Sequence, residues 1–127
     1  LQNFKSSEGK LLYVSGEIIT YDLDKYLISE GLSVERLINY TSNPVEKFDD
    51  NLISNLKNNI PDIVYIYSQN SAISFKSLLV NYDLQNHWMN TNLMCISEKT
   101  SSVLNDIKWK KIFLFNPGEE EYLLYKI

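Results

Sequence analysis

The residues best placed to do chemistry are small and polar, and they recur where apolar runs end. They are Ser15-Gly16, Tyr40-Thr41-Ser42, Ser68-Gln69-Asn70-Ser71, Ser97-Glu98-Lys99-Thr100 and Asn116-Pro117-Gly118. Where a strand of a parallel sheet feeds a helix, such a segment presents unpaired backbone N–H groups and a partial positive charge. A carboxylate can be held there without a basic side chain. The plainer reading is that Ser71 and Ser97 are helix caps, each worth ~1 kcal/mol. Recurrence at the strand ends weakens that plainer reading, although parallel α/β domains repeat such caps generally.

Other chemistries leave marks that this sequence lacks. There is no GxGxxG and no GxxxxGK[ST], so dinucleotide and P-loop binding have no backbone cradle. There is no GxSxG nucleophile elbow. The single histidine, His87, sits in the polar stretch Gln85-Asn86-His87-Trp88 and reads as a surface or helix-end residue rather than a base. Cys95 lies between apolar neighbours, where a thiol is buried and inert. One His and one Cys make no zinc set, and no metal or other cofactor is expected. Asp49-Asp50, Asp22 and Asp24 read as solvated charges near helix starts. A phospho-receiver would need acidic residues where Ser15-Gly16 and Ser68 stand.

The elements that must position these ends alternate in type. Leu11–Val14 reads as a buried strand, followed by helically spaced Ile19, Leu23, Tyr26 and Leu27, with Gly31 as the stop. Leu32–Tyr40 suits a second strand, and Phe48, Leu52, Ile53 and Leu56 trace a helix face broken at Pro61. Ile63–Tyr67 is the clearest strand, rich in β-branched and aromatic residues. Ser71 is the expected cap of a helix carrying Ala72, Phe75, Leu79 and Tyr82. Leu93–Ile96 and Ile112–Phe115 are further strands, with a helix between them capped by Ser97 and turning Val103, Leu104 and Ile107 inward. Glu119-Glu120-Glu121 suits the positive end of a closing helix. This is an α/β chain with parallel sheets flanked by helices, which bind ligands beyond the carboxyl ends of their strands. Thr41–Pro44 is the best candidate boundary, a polar stretch stopped by proline.

With 127 residues, 44% of them hydrophobic, the chain can bury one modest core and is not a disordered segment. Twelve basic residues against sixteen acidic ones give net −4, which argues against a nucleic-acid partner. No run reaches the ~18 apolar residues that a membrane-spanning helix needs. A lone cysteine fits a reducing, cytoplasmic setting. The start at Leu1, with neither Met nor a leader-like run, suggests a fragment, a processed product or a partly ordered chain.

From about Gly9 to Ile127 the sequence resembles the C-terminal half of uroporphyrinogen-III synthase. Gly9–Glu17 resembles the family's "GkrvLylrGe" segment, and Leu37–Thr41 its "v.vYrt" strand. Asp62–Ala72 resembles "iD.v.ftSpsav", Leu93–Thr100 resembles "..aIg..Ta", and Pro117 with the closing helix resembles "a..pt.eall..i". There are departures. Gln69 replaces a usual proline, Ser97 replaces a glycine, and Ser15 stands where arginine is frequent. The resemblance implies a two-lobed fold with its N-terminal half missing. Residues 1–42 would be part of one lobe, 43–127 most of the other, and 41–44 a hinge.

The reaction so implied is closure of hydroxymethylbilane, a linear tetrapyrrole, to uroporphyrinogen III with the last ring inverted. Loss of the hydroxyl gives an azafulvene cation. Attack at the substituted carbon gives a spiro intermediate, which breaks and recloses with that ring turned over. No cofactor is implied, and the full-length family member is expected to be a monomer with a small-molecule substrate. By the same resemblance Tyr40 is the catalytic residue, donating a hydrogen bond to the departing hydroxyl. A phenol ionises only near pH ~10, so it can donate at neutrality. Ser68 and Thr100 are the next substrate contacts, followed by Ser15, Gly16, Gln69, Asn70, Ser71 and Ser97. The rival expectation is a non-catalytic α/β module that pairs through open sheet edges.

Overall fold

The computed structural model describes residues 9–19 and 21–125. The chain divides into two compact units, the first ending at Asn43 and the second starting at Pro44.

The first unit has two parallel strands, β1 (Leu11–Gly16) and β2 (Val34–Tyr40), joined through α1 (Leu23–Ser29). Gly31 adopts φ +83°, the left-handed geometry that ends a helix cheaply. Helix α1 starts at Leu23, so Ile19 lies before it rather than on its face. The expectation of a buried β1 is corrected. Burial alternates along the strand, and Leu12 and Val14 are 60% and 51% exposed, because a sheet of two strands and one helix has a bare face. The pairing runs in register from Leu11↔Val34 to Ser15↔Ile38, then slips so that Gly16 faces Tyr40 and Asn39 has no partner. A bulge of this kind re-aims the side chain that follows it.

The second unit holds three parallel strands in the order β3 (Ile63–Ile66), β4 (Asn92–Cys95), β5 (Lys111–Leu114). Helices α2 (Asp50–Asn58), α3 (Gln69–Asn81) and the short α4 (Glu98–Ser101) accompany them, with a 3-10 turn at Ser102–Leu104 and α5 (Glu120–Leu124) closing the described chain. Central β4 is buried at all four positions, as expected for a parallel strand covered on both faces. On one face Ile66, Leu93 and Cys95 pack against Ala72, Leu79, Leu84, Trp88 and Leu104. On the other, Met94 packs with Phe115 and Leu123. At the entry end, Thr91 Oγ1 donates to the Pro61 carbonyl at 2.7 Å and fixes the start of β4 against that of β3. The shared register of Ile66, Cys95 and Leu114 brings the three strand exits side by side.

The helix starts show both successes and a correction. Asp49 is an N-cap, its carboxylate accepting from Asn51 N at 2.8 Å. The cap of α3 is Ser68, not Ser71: extended backbone at Ser68 lets its Oγ accept from Ser71 N at 3.0 Å, and Ser71 lies within the first turn. Ser97 caps α4 as expected, its Oγ accepting from Thr100 N at 3.2 Å. Val103 and Leu104 do not continue that helix but belong to the 3-10 turn.

Candidate functional site

In the first unit the exits of β1 and β2 border an open cavity of about 410 Å³, lined among others by Tyr13, Ser15, Gly16, Tyr21 and Tyr40. Tyr40 is 62% exposed, and its ring lies directly over Gly16. A Cβ on Gly16 would stand 2.7 Å from Tyr40 Cζ and 2.9 Å from its hydroxyl oxygen, closer than real Cβ atoms come to anything. The φ of Gly16 lies outside the left-handed region, so what glycine supplies here is room for the Tyr40 ring rather than backbone freedom. Glu17 N donates to the Tyr40 carbonyl at 2.9 Å and extends the pairing past the bulge. The Ser15 hydroxyl is engaged within the strand end, its Oγ donating to the Gly16 carbonyl at 3.0 Å.

Arg36 is the residue that sequence reasoning missed. From within β2 its Nε donates to Ser15 Oγ at 2.9 Å, and its Nη2 donates to the carbonyls of Gly16 and Glu17, each at 2.8 Å. Nothing in the spacing marks it beyond its being the one arginine of the sequence.

In the second unit, Ser68, Gln69, Asn70 and Ser71 form the first turn of α3 beyond β3, with Ser68, Asn70 and Ser71 exposed. Ser68 Oγ donates to Ser71 Oγ at 2.8 Å. Beyond β4, Ser97 Oγ and Thr100 Oγ1 lie 3.1 Å apart, and Thr100 is buried at 2% exposure. Thr100 can therefore reach a ligand only through movement or through Ser97. Next to Ser68 stands Tyr67, another residue the sequence did not single out, 5.2 Å from the Phe115 ring. Desolvation first, then the Glu120 carboxylate, push the Tyr67 phenol above its usual value. It is therefore held as a donor over a wider pH range.

The residues set aside as non-catalytic are buried or lie in turns. Burial pushes the thiol of Cys95, the last residue of β4, up to about 11. His87 lies in the turn after α3, its Nδ1 3.2 Å from the Leu84 carbonyl oxygen. Among the described residues no group of three or more His, Cys, Asp or Glu is arranged to hold a metal ion. Nor is any described helix long and apolar enough to cross a membrane.

These features can hold carboxylates on small polar groups and offer a phenolic donor at a cavity edge. Compared with known families, residues 1–115 match the model for uroporphyrinogen-III synthase HemD. The chain belongs to that family. No curated protein matches it.

Proposed function

We propose that this member of the uroporphyrinogen-III synthase family takes part in closing hydroxymethylbilane to uroporphyrinogen III, corresponds to the C-terminal half of the enzyme, and supplies Tyr40 as its catalytic donor. The observation that carries the reading is the Tyr40 ring seated over Gly16 at a strand exit, bordering a cavity of about 410 Å³. The hydroxyl of Tyr40 donates a hydrogen bond to the departing hydroxyl of the substrate, whose loss produces an azafulvene cation; the proton released when the last ring recloses converts that hydroxide to water. The substituted carbon of the last ring attacks that cation, and the spiro intermediate opens and recloses with the ring inverted. Pyrroles are reactive enough that the enzyme's task is to choose the attacking carbon, and positioning of that kind supplies several kcal/mol.

Ser68, Gln69, Asn70, Ser71 and Ser97 serve as carboxylate contacts of the second unit, with Thr100 acting through Ser97. Ser15 and Gly16 shape the floor of the Tyr40 cavity. Thr41–Pro44 is the hinge, and the setting is the cytoplasm. Backbone N–H groups suit a polycarboxylate on a chain of net charge −4, since they add positive potential where side chains do not.

The test uses the full reading frame that contains this chain, supplied with hydroxymethylbilane, and separates product isomers by chromatography. The III isomer should exceed the spontaneous I isomer, and Tyr40→Phe should lose turnover while keeping its fold. Only I isomer from well-folded protein ends the reading.

One observation favours a second reading, a non-catalytic module that pairs through sheet edges. Among the described residues each strand of the β1-β2 sheet is an edge strand, and Leu12, Val14 and Leu37 are at least half exposed beside it. A concentration-dependent dimer in light scattering, without tetrapyrrole binding, would favour it.

A further inference from the structure

We infer that Arg36 is a positioning residue for Tyr40, an inference that rests on the catalytic reading of Tyr40 given above. Arg36 sits on β2, four residues ahead of Tyr40, and sends its guanidinium across to the exit of β1. Its three hydrogen bonds reach three consecutive residues: the Ser15 hydroxyl, the Gly16 carbonyl and the Glu17 carbonyl. The Ser15 hydroxyl also donates to the Gly16 carbonyl, so four hydrogen bonds converge where the register of the sheet slips.

Successive carbonyls of a regular strand point in opposite directions. One nitrogen can serve both Gly16 and Glu17 only if the chain turns between them. The planar guanidinium thus holds a bend, and it does so with a fixed fork that a flexible ammonium does not have. The bend meets Tyr40 twice. Gly16 supplies the floor under the ring, and Glu17 N donates to the Tyr40 carbonyl. If the bend relaxes, the floor moves and the phenol hydroxyl moves with it. Arg36 is not among the residues lining the cavity, so it acts through Tyr40 rather than on the substrate.

The test compares wild type, Arg36→Lys and Arg36→Gln in the full chain, with fluorine placed on the tyrosine rings. The resonance of residue 40 is assigned by its loss in Tyr40→Phe. In both Arg36 variants that resonance should shift or broaden while the resonance of Tyr82 stays in place. Formation of the III isomer should show kcat lower by about 10- to 100-fold with KM within about twofold, since a displacement of ~1 Å costs on that order. An unmoved residue-40 resonance overturns the inference. So does a rise in KM with kcat intact, which marks a direct substrate contact, or wild-type behaviour of Arg36→Lys, which marks charge alone. If Arg36→Gln does not fold, Arg36→Lys carries the test; if neither folds, Arg36 is a general brace and the positioning role falls. If wild type makes no III isomer, the catalytic reading of Tyr40 fails separately, and the fluorine resonance still decides whether Arg36 orders its ring.

Discussion

The ring of Tyr40 occupies the space that a side chain on Gly16 would need, with Cζ, Cε2 and the hydroxyl oxygen all within 2.9 Å of the missing Cβ position. Because these atoms form the far end of an exposed side chain, the ring can swing aside when a methyl group is added. Gly16→Ala should therefore change stability by less than about 1 kcal/mol, below the usual cost of overpacking a core. It should nevertheless cut turnover by at least tenfold, because the phenol is displaced. Urea melts and isomer assays on the same preparation check both halves. A large loss of stability would mean that the ring cannot move, and full activity would mean that its seat does not matter.

Removing the cap of α3 should have a cost of its own. Ser68→Ala loses the bond to Ser71 N and should lower stability by about 1 kcal/mol, whereas Ser68→Gly should lose only a few tenths. The urea midpoint measures this. If Ser68 also holds a substrate carboxylate, KM should rise in both variants alike, although their stabilities differ.

The single cysteine should be silent in the native protein. Cys95 is fully buried, and burial raises its pKa from 9.0 to about 11. A thiol reagent at pH 8 should leave it untouched until denaturant is added, when one equivalent should react. Folding raises this pKa, so the folded state holds its proton more tightly than the unfolded chain. The resulting stability is fully present below pH ~9 and is lost as pH rises through about 11. Rapid labelling without denaturant would contradict the buried placement.

Trp88 should be the most sensitive position in the second unit. It is 1% exposed, with its ring centroid 5.5 Å from that of Phe75 and 5.6 Å from that of Trp109. Trp88→Ala should cost about 3–5 kcal/mol, enough to unfold a marginal domain. Trp88→Phe should cost less than its lost volume suggests, because the indole N–H is buried without a partner and phenylalanine removes that donor. Equilibrium denaturation followed by circular dichroism separates the two.

Element order was legible in the sequence because it follows from period. Ala72, Phe75 and Leu79 recur at helical spacing and do line the inner face of α3, with Tyr82 packing from its C-cap. The apolar run Leu93–Cys95 of β4 is buried on both sides. The same reasoning misjudged β1, since an apolar run reads alike whether or not a second layer covers it. It also put the cap at Ser71 rather than Ser68, because two serines three residues apart offer the same local chemistry and only the backbone angles choose. The brace at Arg36 left no trace, since two of its three partners are main-chain carbonyls some twenty residues earlier, which any residue types would supply. The seat under Tyr40 was half legible: Gly16 and Tyr40 were both singled out, but their meeting depends on a register slip that no pattern announced.

The unpaired Asn39 makes chain length, more than residue identity, the guarded quantity on this strand. Leu37, Ile38 and Asn39 could be exchanged for many other residues, and the arginine anchor would still reach across while the aromatic ring came to rest on its glycine. Adding or deleting a single residue among them would turn the phenol to the opposite side of the ribbon. Divergence along this stretch should therefore accumulate as substitutions and almost never as indels.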